Sequence, residues 1–141
     1  MRIVLPELGD KVSTAQALRL CIEFKLEYLR IRIEANPEEY KEWTFDGCSG
    51  IPDQLLKIFT NKNWQDITYD CCLPHDLCYG YGELGNKAER KQVDLQFRQD
   101  LINKGGMKKT VAFAFYTAVR LGGYAKLSLP FSWGFAKKVK S

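Results

Sequence analysis

The chain has 141 residues, of which 45% are hydrophobic, 13% aromatic and 27% charged, enough apolar material for one domain with a core. This composition excludes a disordered chain, and no uninterrupted apolar run approaches the roughly 20 residues that a transmembrane helix needs. The 21 basic and 17 acidic residues give a net charge of +4, too small for the dense basic stripe expected of a nucleic-acid-binding protein.

The first predicted element is one helix over residues 13–35. Ser13 followed by Gln16 has the pattern of a capping box. Apolar residues then recur on one helical face, at Leu18, Ile22, Leu26, Leu29 and Ile33. The pattern stops at Asn36-Pro37, because proline cannot continue a helix. We expect residues 1–40 to form an N-terminal helical arm that packs in the core or docks on another part of the chain.

Turn-forming residues dominate the next part of the chain. Residues 44–54 predict a loop, residues 55–59 a short helix and residues 61–66 a second loop. A helix is then predicted from about residue 70 to residue 79, and Gly80-Tyr81-Gly82 ends it.

Two further helices complete the predicted fold. Asn86 with Glu89 caps a helix that runs to residue 103 before Gly105-Gly106, and a last helix from Lys108 to about Leu121 ends at Gly122-Gly123. Strand signals are weak and no linker divides the chain. We therefore predict a mainly α, single domain over residues 1–141, with residues 107–141 forming a C-terminal helix and an aromatic, basic tail.

The chemistry-bearing residues concentrate in the predicted helix over residues 70–79. His75 is the only histidine in the chain, and it shares a helical face with Tyr79 four residues later. Asp76 points about 100° away from His75, so the two side chains address different partners. Asp46, in the glycine-containing loop, adds a second carboxylate, and hard oxygen ligands of this kind suit Ca²⁺.

Asp94 is predicted to lie on or beside the buried face of the following helix, since Phe97 and Leu101 share its side. A buried carboxylate requires a partner, and His75 is the one side chain here that changes protonation near neutral pH. Such a pair beside a calcium-binding loop predicts hydrolysis, with the imidazole taking a proton from water. The alternative is a surface Asp94 paired with Arg90 or Arg98, with Tyr79 serving only as core.

Two motifs carry a resemblance to a known family. Residues 71–79, CCLPHDLCY, resemble the CCxxHDxCY active-site helix of the secreted phospholipases A2. Residues 45–53, FDGCSGIPD, are similar to the DGCSxxPD loop of the shorter prokaryotic and fungal members. Asp94 follows His75 by 94 − 75 = 19 positions, which also fits the short form. The resemblance covers roughly residues 44–103.

The resemblance implies a phospholipase A2-like fold in which two antiparallel helices, over residues 70–79 and 87–103, carry the active site between flanking N- and C-terminal helices. It implies calcium-dependent hydrolysis of the sn-2 ester of glycerophospholipids to a lysophospholipid and a free fatty acid. The implied catalytic residues are His75 as general base, Asp94 as its orienting carboxylate and Tyr79 as support for Asp94. The implied calcium ligands are Asp46, the Gly47 carbonyl and Asp76.

The cysteines leave several interpretations open. The resemblance implies a disulfide between Cys48 and Cys72, which leaves three of the five cysteines, Cys21, Cys71 and Cys78. Cys71 and Cys78 are either reduced, or one of them bonds Cys21. A structural zinc site is the inorganic alternative, because Cys71, His75 and Cys78 share one helical face.

Two classes of function follow. The leading prediction is an enzyme, because Asp46, His75, Asp76 and Asp94 are all present. The alternative is a catalytically silent phospholipase A2-like protein that binds membranes or a partner.

We expect a monomer bound peripherally to a phospholipid surface. Phe131, Trp133 and Phe135 ahead of the terminal lysines suit such binding, and packing of this tail on the core is the equal alternative. Residues 1–7 predict no secretory signal in this chain, because Pro6 and Glu7 interrupt their apolar patch. Secretion or delivery to a target membrane is favoured over a cytoplasmic location, and an inhibitor or immunity partner stays open.

Overall fold

The computed structural model describes residues 5–7, 9–45, 67–83 and 85–122. In these ranges the chain is mainly helical, with five α-helices and a sheet of two short strands. The mainly α class predicted from the sequence is therefore confirmed for this part of the chain. The predictions for residues 46–66 and for the tail from residue 123 fall outside the described residues.

A two-stranded sheet joins the two ends of the N-terminal region. Strand β1 (Lys11–Val12) pairs antiparallel with strand β2 (Trp43–Thr44), with Val12 opposite Trp43. Two further backbone hydrogen bonds extend this pairing, from the Gly9 N–H to the Phe45 carbonyl at 2.8 Å and from the Phe45 N–H to the Asp10 carbonyl at 2.9 Å. The pairing brings the buried ring of Phe45, the first residue of the motif over residues 45–53, into the core.

The N-terminal region forms two helices, so the prediction of one helix over residues 13–35 was wrong. Helix α1 spans Thr14–Glu23 and helix α2 spans Glu27–Ala35. Ser13 caps α1 as predicted, because its hydroxyl accepts the Gln16 N–H at 3.2 Å. A continuous helix of this length would extend for about 35 Å, roughly the diameter of a small domain, whereas two shorter helices fold back onto one core.

The corner between α1 and α2 is a Schellman motif. The Lys25 N–H donates to the Ile22 carbonyl at 3.2 Å, and the Leu26 N–H donates to the Cys21 carbonyl at 2.8 Å. The motif requires a left-handed residue, and Lys25 takes that conformation with φ of +59°. The buried face of α1 also differs from the prediction: Ile22 of the predicted apolar face is 65% exposed, whereas Leu20 and Cys21 lie in the core.

The helix that carries His75 follows a π-helical segment. Residues Ile67–Cys72 form this segment and lead directly into α3, which spans Leu73–Gly80. Pro74 is tolerated because it lies in the first turn of α3. All of α3 is buried except Asp76, which is half-buried. A helix so enclosed places its polar side chains against other protein groups.

Helices α4 (Lys87–Asn103) and α5 (Lys109–Gly122) agree with the sequence predictions to within a residue or two. The Asn86 side chain accepts the Glu89 N–H at 2.9 Å and so caps α4 as predicted. Tyr79, near the end of α3, contacts Arg90, near the start of α4. His75, earlier on α3, contacts Phe97, later on α4. The two helices are therefore antiparallel.

The buried apolar side chains form two clusters. The first joins β1, β2, α1 and α2 to α3, and the second joins the π-helical segment to α4 and α5. Helices α3 and α4 lie where the clusters meet, so they connect the two halves of the core. Within the described ranges, none of the helices is both long and apolar enough to span a bilayer.

Candidate active site

Asp94 is the centre of a buried hydrogen-bond network. Helix α4 points its carboxylate at α3, where its Oδ1 lies 2.9 Å from His75 Nε2 and its Oδ2 accepts the Tyr79 hydroxyl at 3.0 Å. The Asp94 side chain has no solvent exposure, and His75 is 6% exposed. The structure thus brings together the three predicted catalytic residues, and the alternative of a surface Asp94 is wrong.

The imidazole ring is held by aromatic neighbours as well as by Asp94. The Tyr79 ring centroid lies 4.5 Å from that of His75, and the Phe97 centroid lies 4.4 Å from it. Tyr79 comes from the same face of α3 one turn later, as its spacing predicts, and Phe97 comes from α4. These contacts restrict the orientation of the ring.

Two arginines complete the network around Asp94. Arg120 of α5 donates from Nη1 to Asp94 Oδ2 at 2.8 Å, and Arg90 Nη1 lies 3.7 Å from the same oxygen. Arg90 also donates to the Tyr79 hydroxyl at 3.2 Å and to the Arg120 carbonyl at 3.3 Å. The sequence suggested Arg90 only as the partner of a surface Asp94, and it did not identify Arg120. One feature of the sequence could have identified Arg120, since it is a cation in an otherwise apolar part of α5.

The protonation states of the network follow from its hydrogen bonds. Burial disfavours the charged carboxylate of Asp94, but the bonds from His75, Tyr79 and Arg120 outweigh it and lower the pKa of Asp94 below its usual value. An ionised carboxylate only accepts hydrogen bonds, so Nε2 of His75 must carry the proton that it shares with Asp94. Burial, followed by the charge of Asp94, raises the pKa of Tyr79, which keeps the phenol protonated as a donor.

His75 opens onto a cavity of about 220 Å³ between the corner of α1 and α2 on one side and α3 and α4 on the other. Apolar side chains form much of its wall: Phe24, Leu26, Pro74, Val93 and Phe97. Since Asp94 occupies Nε2, the free lone pair of His75 is on Nδ1, and no described residue hydrogen-bonds that nitrogen. The imidazole of His75 therefore lines the same cavity as these apolar side chains.

One of the three predicted calcium ligands lies in the described part of the chain. Asp76 is half-buried in the first turn of α3, while Asp46 and Gly47 lie outside the described residues. Among the described residues, no three His, Cys, Asp or Glu side chains form a group that could hold a metal. The buried Phe45 ring lies 6.0 Å from that of Tyr69, so the predicted loop starts beside the segment that leads into α3.

The zinc alternative is not supported by the described residues. Cys71, His75 and Cys78 do not form a group that could hold a metal. His75 uses Nε2 to bind Asp94, and Cys78 Sγ accepts the Tyr28 hydroxyl at 3.4 Å. Burial raises the pKa of the Cys78 thiol to about 12, which disfavours the thiolate that zinc requires.

The structure also decides the state of four cysteines. Cys21, Cys71 and Cys78 are buried and form no disulfide, so the alternative of a disulfide from Cys21 to Cys71 or Cys78 is wrong. Cys72 is disulfide-bonded. Its pairing with Cys48, which the family resemblance implies, stays a prediction because Cys48 lies outside the described residues.

No family model, curated protein or solved structure that was compared with this chain matches it. Any function for the chain therefore depends on the chemistry of its own residues. That chemistry consists of a histidine with a fixed tautomer, a fully buried carboxylate held by two arginines and a tyrosine, and an apolar cavity beside the imidazole.

Proposed function

We propose that this chain is a calcium-dependent phospholipase A2. It hydrolyses the sn-2 ester of glycerophospholipids and releases a fatty acid and a lysophospholipid. The observation that carries the proposal is the hydrogen bond from His75 to the fully buried Asp94, at the wall of an apolar cavity. The two sequence motifs around Asp46 and His75 support the same activity.

His75 is the general base in this proposal. Nδ1 takes a proton from water, and the water oxygen forms the bond to the ester carbonyl carbon. The imidazolium then returns that proton to the departing glycerol oxygen as the C–O bond breaks. Asp94 holds the tautomer that leaves Nδ1 unprotonated, and its negative charge stabilises the imidazolium.

The groups on Asp94 Oδ2 are positioning residues. Tyr79 and Arg120 both donate to this oxygen, so rotation of the carboxylate away from His75 would break two hydrogen bonds in a buried environment. Arg90 contacts Tyr79 and Arg120 and joins them into one unit. A base fixed in this way needs little reorganisation during the reaction.

Asp46, the Gly47 carbonyl and Asp76 would hold the calcium ion. Two carboxylates and a backbone carbonyl are the hard oxygen donors that this ion prefers. When bound, calcium supplies positive charge that stabilises an oxyanion. The half-burial of Asp76, one residue after the base, fits a ligand that borders the reacting ester.

The cavity supports a lipid substrate because its apolar wall suits an acyl chain. The substrate belongs to a membrane, so we propose peripheral association with a phospholipid surface. We propose secretion or delivery to a target membrane as the route by which the enzyme meets it.

Fatty-acid release from phospholipid vesicles tests this function. We expect release by the wild type with Ca²⁺, loss of release with EGTA, and recovery when Ca²⁺ is restored in excess. His75→Ala should abolish release, while Lys91→Ala, on the exposed side of α4, should not change it. Undiminished release in EGTA would reject the calcium mechanism, and vesicle binding without any release would favour the catalytically silent alternative.

A further inference from the structure

The wall of the cavity opposite His75 contains an unusual residue at the α1–α2 corner. Lys25 lines this cavity and is exposed to solvent. Its φ of +59° lies in the left-handed region, where glycine is the favoured residue of a Schellman motif. A lysine at this position carries backbone strain that glycine would relieve. The corner therefore contains a lysine at a position where the backbone geometry alone favours glycine.

The other charged groups of the cavity compensate one another. Lys104 Nζ lies 3.9 Å from Asp100 Oδ1, and Gln96 donates to the same oxygen at 2.9 Å. No carboxylate of the described residues forms an ion pair with Lys25. Lys25 is therefore the uncompensated positive charge of the cavity in the described part of the chain.

We propose that Lys25 makes this cavity selective for glycerophospholipids with an anionic head group, such as phosphatidylglycerol, over zwitterionic phosphatidylcholine. The inference rests on the proposed function, which places the ester beside His75 and the acyl chain on the apolar wall. The head group then lies at the polar, solvent-facing part of the cavity. There Lys25 attracts the phosphate of either lipid but repels the quaternary ammonium of phosphatidylcholine.

The strained backbone makes the proposal distinguishable from a structural role. If Lys25 only completed the turn, Lys25→Gly would improve the fold and leave lipid selectivity unchanged. If Lys25 binds the head group, the same variant keeps or raises Tm and loses selectivity. A purely structural role predicts that Lys25→Gly keeps its lipid selectivity. Loss of selectivity without loss of Tm would therefore support head-group binding by Lys25.

The test uses lipids that stay monomeric, so that the charge of a membrane surface does not contribute. Dihexanoylphosphatidylglycerol and dihexanoylphosphatidylcholine are compared below their micelle concentrations, and their sn-2 ether analogues, which cannot be hydrolysed, are used for the binding titration with Ca²⁺ present. The imidazole NMR signals of His75 report binding at the cavity, because His75 is the only histidine in the chain. Initial hydrolysis rates for the same two lipids are measured in parallel.

We expect Lys25→Gly and Lys25→Asn to weaken phosphatidylglycerol binding by about fivefold, the upper range for one exposed ion pair. Phosphatidylcholine binding should be unchanged or slightly tighter. Lys25→Arg should keep most of the selectivity because it keeps the charge. Lys91→Asn is the matched control, since it removes an exposed lysine away from the cavity, and its selectivity should equal that of the wild type.

Two failures are separable. Hydrolysis with the same lipid preference in wild type and Lys25→Asn would overturn the head-group inference and leave the phospholipase proposal intact. Selective binding that depends on Lys25, without hydrolysis by the wild type, would reject the enzyme and keep Lys25 as a lipid-binding residue. Absence of any shift of the His75 signals with phosphatidylglycerol would overturn the head-group inference.

Discussion

The two walls of the His75 cavity are built by different physical means. On one wall, helices α3, α4 and α5 converge on Asp94, and donors from each of them contact or approach its carboxylate. On the other wall, the α1–α2 corner is held by backbone hydrogen bonds and presents an exposed lysine. The first wall is suited to catalysis and the second to recognition of a ligand. Substitutions in the first wall should therefore change activity and stability strongly, and substitutions in the second wall should change stability little.

Substitution of Asp94 should cause the largest losses of stability and activity. Asp94→Ala leaves two half-buried arginine side chains without their carboxylate, which should lower the free energy of unfolding by about 3–5 kcal/mol. The isosteric Asp94→Asn should keep more stability and still lose activity by about a thousandfold or more, because the amide can stabilise the wrong histidine tautomer. Urea unfolding and kcat separate the two effects, and normal turnover by Asp94→Asn would contradict the role of this carboxylate.

Arg120 should follow, with a matched arginine as its control. Arg120→Ala removes a charged hydrogen bond to Asp94, which we expect to lower kcat by about tenfold and the free energy of unfolding by about 2 kcal/mol. Arg98 also joins α4 to α5, through its guanidinium over the Tyr116 ring at 5.5 Å, but it does not contact Asp94. Arg98→Ala should leave kcat unchanged. Equal losses of kcat in both variants would show that Arg120 acts only through helix packing.

Acid should remove part of the stability that Asp94 provides. Its pKa is lower in the folded protein than in the unfolded chain, because the bonds from His75, Tyr79 and Arg120 outweigh the effect of burial. The contribution is therefore complete above the unfolded pKa of about 3.9 and is lost as pH falls through the folded value. Urea unfolding at pH 7 and at pH 3 should show the stability gap between wild type and Asp94→Asn narrowing in acid. A constant gap would mean that Asp94 has no depressed pKa.

The smallest effect is expected at the corner. Lys25→Gly relieves a left-handed lysine but gives the unfolded chain more freedom, so the free energy of unfolding should rise by about 0.5 kcal/mol or stay unchanged. Thermal unfolding measures this change, and Lys25→Ala, which keeps a Cβ, should show no gain. A clear loss of stability in Lys25→Gly would show that the lysine side chain supports the fold.

Local patterns predicted much of the fold. The caps at Ser13 and Asn86, the glycines after α4 and the buried face of α4 depend on neighbours within a few residues, so the sequence alone was sufficient for them. The same holds for the pairing of His75 with Asp94. One helix presented the imidazole, and the next presented a carboxylate on its buried face.

The tertiary structure decided what depends on residues far apart in the chain. It broke the predicted first helix at Lys25, because two short helices cover a small core better than one long helix. It brought Arg120 to Asp94 from 26 residues away, and it placed Lys25 at the cavity that His75 lines. Sequence periodicity determines which face of a helix is buried. The partner that this face contacts depends on the packing of the whole chain. Any arrangement that buries the apolar surface and pairs the buried charges is stabilised, so the sequence of one helix does not select among them.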